Sequence, residues 1–169
     1  MINKTISIYY EPPKVSERYF DTILKRIKRI YPIYNIHKYP ISNISALKLS
    51  IITHHPRVIL TYKDIHSKFN EKLLFDGISL IPNNVTLVKY QSTSFFDTYY
   101  LLLHEIGHLF GLPHCINKSC IMGVIQKENK INYVWRKLSK RKVLTKRSLL
   151  CSYCKAVLQR FAIATDAGG

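Results

Sequence analysis

One short segment limits the folds open to this chain more than any other feature. Residues 104–115 read His-Glu-Ile-Gly-His-Leu-Phe-Gly-Leu-Pro-His-Cys. Two histidines four residues apart project from the same face of a helix, where their imidazoles can share one metal ion. Gly111 can adopt the left-handed conformation that ends a helix, and Pro113 prevents the helix from resuming. The chain can therefore turn back and bring His114 to the ion held by the helical pair.

The predicted metal ligands are His104, His108 and His114, which leave a fourth position open on a tetrahedral ion, expected to be zinc. The alternative is a buried, hydrogen-bonded histidine pair, since the HExxH pattern alone arises by chance in roughly one or two chains of this length per hundred. A glycine at residue 111 and the third histidine each lower that chance by about twentyfold. The pattern therefore favours the metal site.

Glu105 follows the first histidine, so its carboxylate is expected beside the ion and not among the ligands. Zinc bound by three neutral imidazoles lowers the pKa of a water in the open position toward about 7. A neighbouring carboxylate can take the proton as the water attacks a polarised carbonyl, and can return it to the leaving amine. The expected chemistry is hydrolysis of a peptide or protein substrate, with Glu105 as general base.

Four cysteines form two local pairs, Cys115 with Cys120 and Cys151 with Cys154. Their thiolates can close a tetrahedral zinc site, which would be structural. Because the first cysteine directly follows His114, such an ion would brace the third histidine. There are three alternatives. The cysteines could be buried free thiols, or they could form disulfides, which are rare in a reducing cytosol. The Cys-x-x-Cys pair could instead have a redox role, but this would leave the first pair unexplained.

The combined pattern resembles that of the archaemetzincins, a family of metzincin zinc metalloproteases. Residues 104–115 are followed by Cys120, by Met122 two residues later, and finally by the Cys-x-x-Cys pair that begins at Cys151. The resemblance implies a second zinc ion on the four cysteines, and hence two zinc ions per chain. It also implies that Met122 forms the Met-turn, an apolar floor beneath the catalytic zinc. By pattern it covers roughly residues 57–158.

Two features depart from the family pattern. Residues 123–150 separate Met122 from the second cysteine pair, and this interval is longer than is typical of the family, which indicates an insertion. Val124 stands where some metzincins have a tyrosine that ligates the metal, so no tyrosine ligand is predicted.

Hydrophobic periodicity divides the remaining chain into strands and helices. We expect three helices. The first covers residues 16–31 and the last covers residues 149–161. The second begins at a capping box formed by Ser94 and Asp97 and ends at about Gly111. Strands are expected over residues 5–10, 34–37, 47–52, 57–62, 72–80 and 85–90, which imply a mixed sheet. The strand ending at Tyr90 is expected to be the sheet edge that pairs with an extended substrate. With the family resemblance, the expected fold is α/β (α+β), a metzincin-like domain with a mostly parallel twisted sheet, an N-terminal backing helix, an active-site helix and a C-terminal helix.

Length and composition favour one domain. A chain of 169 residues with 47% hydrophobic residues suits a packed core and excludes disordered and collagen-like chains. We expect a catalytic domain over residues 1–165, with a cysteine knuckle over residues 115–154, and a mobile tail over residues 166–169. The sequence shows no signal peptide and no apolar run of roughly 18 residues, so a cytoplasmic protein without membrane contact is expected. We assume a monomer.

The charge leaves two other classes of function open. Lys and Arg number 26 against 10 Asp and Glu, a formal net charge of +16, which favours polyanions or acidic substrates. Basic residues are dense over residues 127–147, which fits a solvated face or a nucleic-acid contact by a zinc-binding module. The third class is a scaffold that binds peptides without cutting them. Glu105 favours a hydrolase, since neither alternative requires a carboxylate between paired histidines.

Other aromatic and histidine residues receive no functional role. The spacing of Phe96, Tyr99, Tyr100, Leu103 and Phe110 is that of a helix core. The remaining histidines lack ligand spacing and are expected in loops or on the surface; they are His37, His54, His55 and His66.

Overall fold

A five-stranded sheet lies at the centre of the part of the chain that the structure, a computed structural model, describes. That part comprises residues 5–10, 17–31, 35–41, 55–61, 65–66, 74–75, 77–80, 84–89, 95–123 and 149–167. The strands are β1 (Thr5–Tyr10), β2 (Asn35–Pro40), β3 (Arg57–Thr61), β4 (Ile65–His66), β5 (Leu74–Phe75), β6 (Gly77–Leu80) and β7 (Val85–Lys89). The sheet has the order β2-β1-β3-β7-β6, and β4 pairs with β5 in a separate ladder.

Most pairings within this sheet are parallel. β1 runs parallel to β2 and to β3, and β3 runs parallel to β7. Only the pairing of β6 with β7 is antiparallel, with Ser79 opposite Thr86. The buried apolar residues of β3 fit a strand that is covered on both faces. The prediction of a mixed, mostly parallel sheet is confirmed.

Within the described residues, three helices accompany the sheet: α1 (Glu17–Ile30), α2 (Phe95–Leu109) and α3 (Ser152–Ala167). α1 buries its apolar stripe and exposes its basic side chains, as its period predicts. α2 packs on β6 and β7. One core cluster joins α1, α2 and the start of α3 to the same face of the sheet. Among the described helices, none is long and apolar enough to span a membrane.

One prediction about the sheet is wrong. The strand that ends near Tyr90 is not an edge, because β7 lies between β3 and β6. The predicted strand over residues 72–80 is instead two strands, since β5 pairs with β4 whereas β6 folds back on β7. The sequence did not predict that β6 would pair antiparallel with β7. This pairing places β6, and not β7, at the end of the sheet.

Other boundaries differ less. α3 begins at Ser152 and continues to Ala167, so it contains the first two residues of the predicted tail, and residues 168–169 lie outside the described part. The predicted strand over residues 47–52 and the capping residue Ser94 also lie outside it. Side-chain burial confirms the core assignment of Tyr99, Tyr100, Leu103 and Phe110, while that of Phe96 is not among the described side chains.

Candidate metal centres

The C-terminal end of α2 turns the chain at Gly111, as predicted. Gly111 has a φ of 74°, in the left-handed region. Its N–H donates to the carbonyl of His108 at 2.9 Å, and the N–H of Leu112 donates to the carbonyl of Gly107 at 3.0 Å. These two bonds make a Schellman motif, which ends a helix and reverses the chain. The residues that follow therefore return toward the helix.

The three predicted histidines meet at one point. Nε2 of His108 lies 3.2 Å from Nε2 of His104 and 3.2 Å from Nε2 of His114. Ligands at about 2.0–2.1 Å from a tetrahedral zinc ion are separated by about 3.3 Å, so the three nitrogens have the spacing of a zinc site. The rings of His104 and His108 are half-buried and that of His114 is exposed, which leaves the group open to solvent on one side.

Hydrogen bonds on the far side of two rings decide which nitrogens carry lone pairs. Nδ1 of His104 lies 2.8 Å from the carbonyl oxygen of Ile121, and Nδ1 of His108 lies 2.8 Å from that of Leu112. A carbonyl only accepts, so each Nδ1 carries a proton, and in the neutral ring each Nε2 then carries a lone pair. Lone pairs at 3.2 Å repel unless a cation lies between them, and second-shell bonds of this kind orient histidine ligands. The donor set therefore fits zinc.

Glu105 is buried beside this group, with 6% of its surface exposed. Its Oε2 accepts a hydrogen bond from Oγ of Ser79 at 2.6 Å, and Oγ1 of Thr86 lies 3.5 Å away. Burial raises the pKa of the Glu105 carboxyl, while the Ser79 hydrogen bond, the charge that His108 carries when protonated, and the Thr86 hydrogen bond act in the opposite direction. Burial has the larger effect, so this carboxylate binds a proton more readily than an exposed glutamate does.

Met122 lies beneath the active-site helix and is fully buried. Gly107 faces it so closely that a Cβ there would collide with the sulfur of Met122 and approach the Tyr31 hydroxyl to 3.0 Å. Tyr31 in turn donates to the carbonyl of Leu103 at 2.5 Å and stacks on Phe110. Met122 thus lies in an apolar layer against α2, and its role as the Met-turn stays a prediction.

The four cysteines also converge. Sγ of Cys115 lies 3.7 Å from Sγ of Cys151, and Sγ of Cys120 lies 3.6 Å from Sγ of Cys154. All four thiols are free, and their sulfur atoms lie within 4.8 Å of one another. Thiolates at about 2.3 Å from a tetrahedral zinc ion are separated by about 3.8 Å, so these spacings fit a metal site. They are far longer than a disulfide bond of about 2.05 Å.

The lowered pKa of Cys151 also favours binding of a cation at the cysteine group. Burial opposes ionisation of Cys151, but hydrogen bonds from the Cys154 backbone and from the neighbouring thiols outweigh it and lower its pKa to about 7. A thiolate is the form that binds metal. Burial raises the pKa of Cys154, whose thiol is fully covered, so bound metal rather than solvent would have to displace its proton.

Backbone bonds connect the cysteine group to the histidine group. The N–H of Cys115 donates to the carbonyl of Met122 at 2.8 Å, and the N–H of Ile121 donates to that of Leu149 at 2.8 Å. Ile121 stands between Cys120 and Met122, and its carbonyl is the acceptor for His104. One short loop therefore supplies thiols to one site and an orienting carbonyl to the other.

The remaining candidates lie elsewhere. His37 and His55 are exposed, which confirms their surface assignment. His66 belongs to β4, and His54 lies outside the described residues. The basic residues over 127–147 also lie outside them, as does Val124.

Sequence reasoning missed the groups that hold the site residues in place. Ser79 and Thr86 belong to ordinary strand segments, and only the antiparallel register brings them together. The carbonyls of Leu112 and Ile121 belong to the backbone, so no residue type signals them. The polar position of Ser79 within an apolar strand was the one available sign.

Comparisons with known proteins agree with this architecture. A sequence model of peptidase family M54 matches residues 60–160. The archaemetzincin of Aeropyrum pernix is 37% identical over 57 residues, a stretch that covers 34% of this chain and 25% of that relative.

Two solved structures are similar in fold. The zinc-dependent peptidase from Methanocorpusculum labreanum has a TM-score of 0.63 at 15% identity, covering 90% of this chain and 99% of that one. The archaemetzincin from Methanopyrus kandleri has a TM-score of 0.66 at 15% identity, covering 95% and 96%.

Proposed function

The chain belongs to peptidase family M54, and on that premise we propose that it is a zinc-dependent metallopeptidase that hydrolyses peptide bonds. The observation that carries the proposal is the convergence of three histidine Nε2 atoms, at 3.2 Å for the two pairs made by His108, next to the carboxylate of Glu105. His104, His108 and His114 are the proposed ligands of the catalytic zinc. This arrangement would present a bound metal ion and a base to the same substrate.

Within the proposed reaction, zinc supplies Lewis-acid chemistry: it activates water and polarises the substrate carbonyl. Glu105 takes a proton from the attacking water and later delivers it to the nitrogen of the leaving amine. Its burial supports this role, because a carboxylate with a raised pKa is a stronger base. His104 and His108 are held in their ligating orientation by the carbonyls at their Nδ1 atoms.

A second zinc on Cys115, Cys120, Cys151 and Cys154 is the structural part of the proposal. The spacing of their sulfur atoms and the lowered pKa of Cys151 support it. Its function would be to fix the loop that orients His104 and contains Met122.

The substrate is proposed to bind along β6. This strand ends the order of the described sheet, is only partly buried, and packs beside α2, which carries Glu105. Backbone groups at a strand end of this kind can pair with an extended peptide. The alternative of a nucleic-acid contact depends on residues 127–147, which are outside the described part.

Peptide cleavage by zinc-loaded protein tests the proposal. A peptide library is incubated with the parent protein and with Glu105→Ala, and Asp21→Ala provides a control that removes an exposed carboxylate on α1. We expect cleavage by the parent and the control, and none by Glu105→Ala. Activity of Glu105→Ala close to that of the parent would exclude Glu105 as the base.

A further inference from the structure

Two hydroxyl groups face the buried carboxylate from neighbouring strands. Ser79 on β6 and Thr86 on β7 are direct cross-strand partners. Opposite residues of an antiparallel pair point to the same face of the sheet. Their hydroxyl oxygens are 2.6 Å apart, and Oγ of Ser79 is also 2.6 Å from Oε2 of Glu105. The β6–β7 pair thus presents a short hydroxyl chain to α2.

Each hydroxyl has one proton to donate, and this determines the direction of the hydrogen bonds from Thr86 to Ser79 and from Ser79 to Glu105. An ionised carboxylate only accepts, so the single hydroxyl proton of Ser79 goes to Oε2 of Glu105 at 2.6 Å, the nearer of its two acceptors; the other is the backbone carbonyl of Glu105 at 3.2 Å. Thr86 is then the group that donates across the 2.6 Å contact to Ser79, which is shorter than its 3.2 Å approach to the carbonyl of Ile78. Each hydroxyl polarises the next, which strengthens the final bond to the carboxylate.

The two oxygens of Glu105 consequently differ. Oε2 is engaged by Ser79, whereas in the described part of the chain no hydrogen-bond donor reaches Oε1. We infer that Ser79, supported by Thr86, is a positioning residue that fixes Oε2 and leaves Oε1 as the oxygen that exchanges the proton with water and the leaving amine. This inference rests on the proposed peptidase function and specifies how its base is held.

Gly77, on the same strand as Ser79, also limits the space around the carboxyl group of Glu105. It lies two residues before Ser79, so both face α2 from the same side of β6. A Cβ on Gly77 would come within 2.9 Å of Oε1 and 3.0 Å of Cγ of Glu105. The backbone of β6 therefore closes one side of the space around Oε1, and a hydroxyl on the same strand anchors Oε2.

A set of four variants tests this arrangement. Ser79→Ala removes the donor, and Ser79→Thr restores a hydroxyl. Because Thr86 lies 3.5 Å from Oε2 and can replace the lost donor, a Ser79→Ala, Thr86→Val double variant removes both. Ser7→Ala, on β1 of the same sheet, is the matched control.

The expected result is a fall in kcat with an unchanged KM and zinc content. Misplacing a general base costs rate without affecting uniform substrate binding, so we expect about a tenfold lower kcat for Ser79→Ala and about a hundredfold lower kcat for the double variant. Ser79→Thr should recover most of the rate, and Ser7→Ala should match the parent. A parent-like kcat for the double variant, while Glu105→Ala is inactive, would overturn the inference and leave the proposed function intact.

A crystal structure of the double variant provides a measurement that does not depend on activity. We expect the carboxyl group of Glu105 to leave the position it has beside β6, with the three histidines unmoved. An unchanged carboxyl position would overturn the inference, whether or not the parent cleaves peptides.

Discussion

Nδ1 of His104 lies 2.8 Å from the carbonyl oxygen of Ile121, so the first histidine of one candidate metal site is oriented by the residue that follows Cys120 of the other. Bonds of this kind fix both the ring orientation and the tautomer of a ligating histidine. The loop that carries Ile121 is in turn held by two of the four cysteines. Metal binding at the two sites should therefore be coupled.

Cys154→Ser tests this coupling from outside the loop. We expect the zinc content to fall from two ions to one, and the remaining zinc to bind about tenfold more weakly, because losing an orienting partner typically costs that much. Metal analysis and chelator competition measure the two effects. Ile121→Val is the control, since it keeps the backbone carbonyl. An unchanged zinc content in Cys154→Ser would exclude the structural site.

His108→Ala should remove the ion from the other site, the one formed by the histidines. His108 makes both of the 3.2 Å contacts, so its loss leaves only His104 and His114 as ligands of that ion. We expect loss of the histidine-bound zinc and retention of the thiolate-bound zinc, as shown by metal analysis. His37→Ala, which removes an exposed histidine on β2, should keep both ions. Loss of both ions from His108→Ala would contradict a cysteine site that still fills, though more weakly, without the histidine-bound ion.

Gly107→Ala should destabilise the fold. The added methyl group would collide with Met122 and Tyr31, both of which are fully enclosed. Overpacking of this kind costs about 1–3 kcal/mol, which denaturant unfolding measures directly. A free energy of unfolding equal to that of the parent would show that the layer beneath α2 has room that the structure does not indicate.

Met122→Leu should be tolerated. Leucine has a similar volume and keeps the floor apolar, so the expected loss of stability is less than about 1.5 kcal/mol. Zinc content should stay the same, because the Met122 sulfur packs against Gly107 and the predicted ligands are histidine nitrogens and cysteine thiols. Loss of a zinc ion from this variant would indicate that the thioether has a part in metal binding.

The sequence predicted those parts of the site that depend on local geometry. Histidines four residues apart on a helix, followed by Gly111, were enough to place three ligands together, because helix period and the left-handed turn are local properties. The orienting carbonyl of Ile121 depends on tertiary packing and has no residue signature. Ser79 depends on an antiparallel register, and the same return of β6 made the predicted edge at β7 wrong.

The cysteine loop has one more consequence. Ile121 bonds to Leu149, and the two thiol contacts join residues 115 and 120 to residues 151 and 154. The residues on either side of the stretch 124–148 are therefore held together by these contacts as well as by the peptide chain. Leu150, Cys154 and Leu158 also contribute to the common core. A protein cleaved within that stretch should remain a single particle, and the two pieces, expressed apart, should reassemble when zinc is supplied.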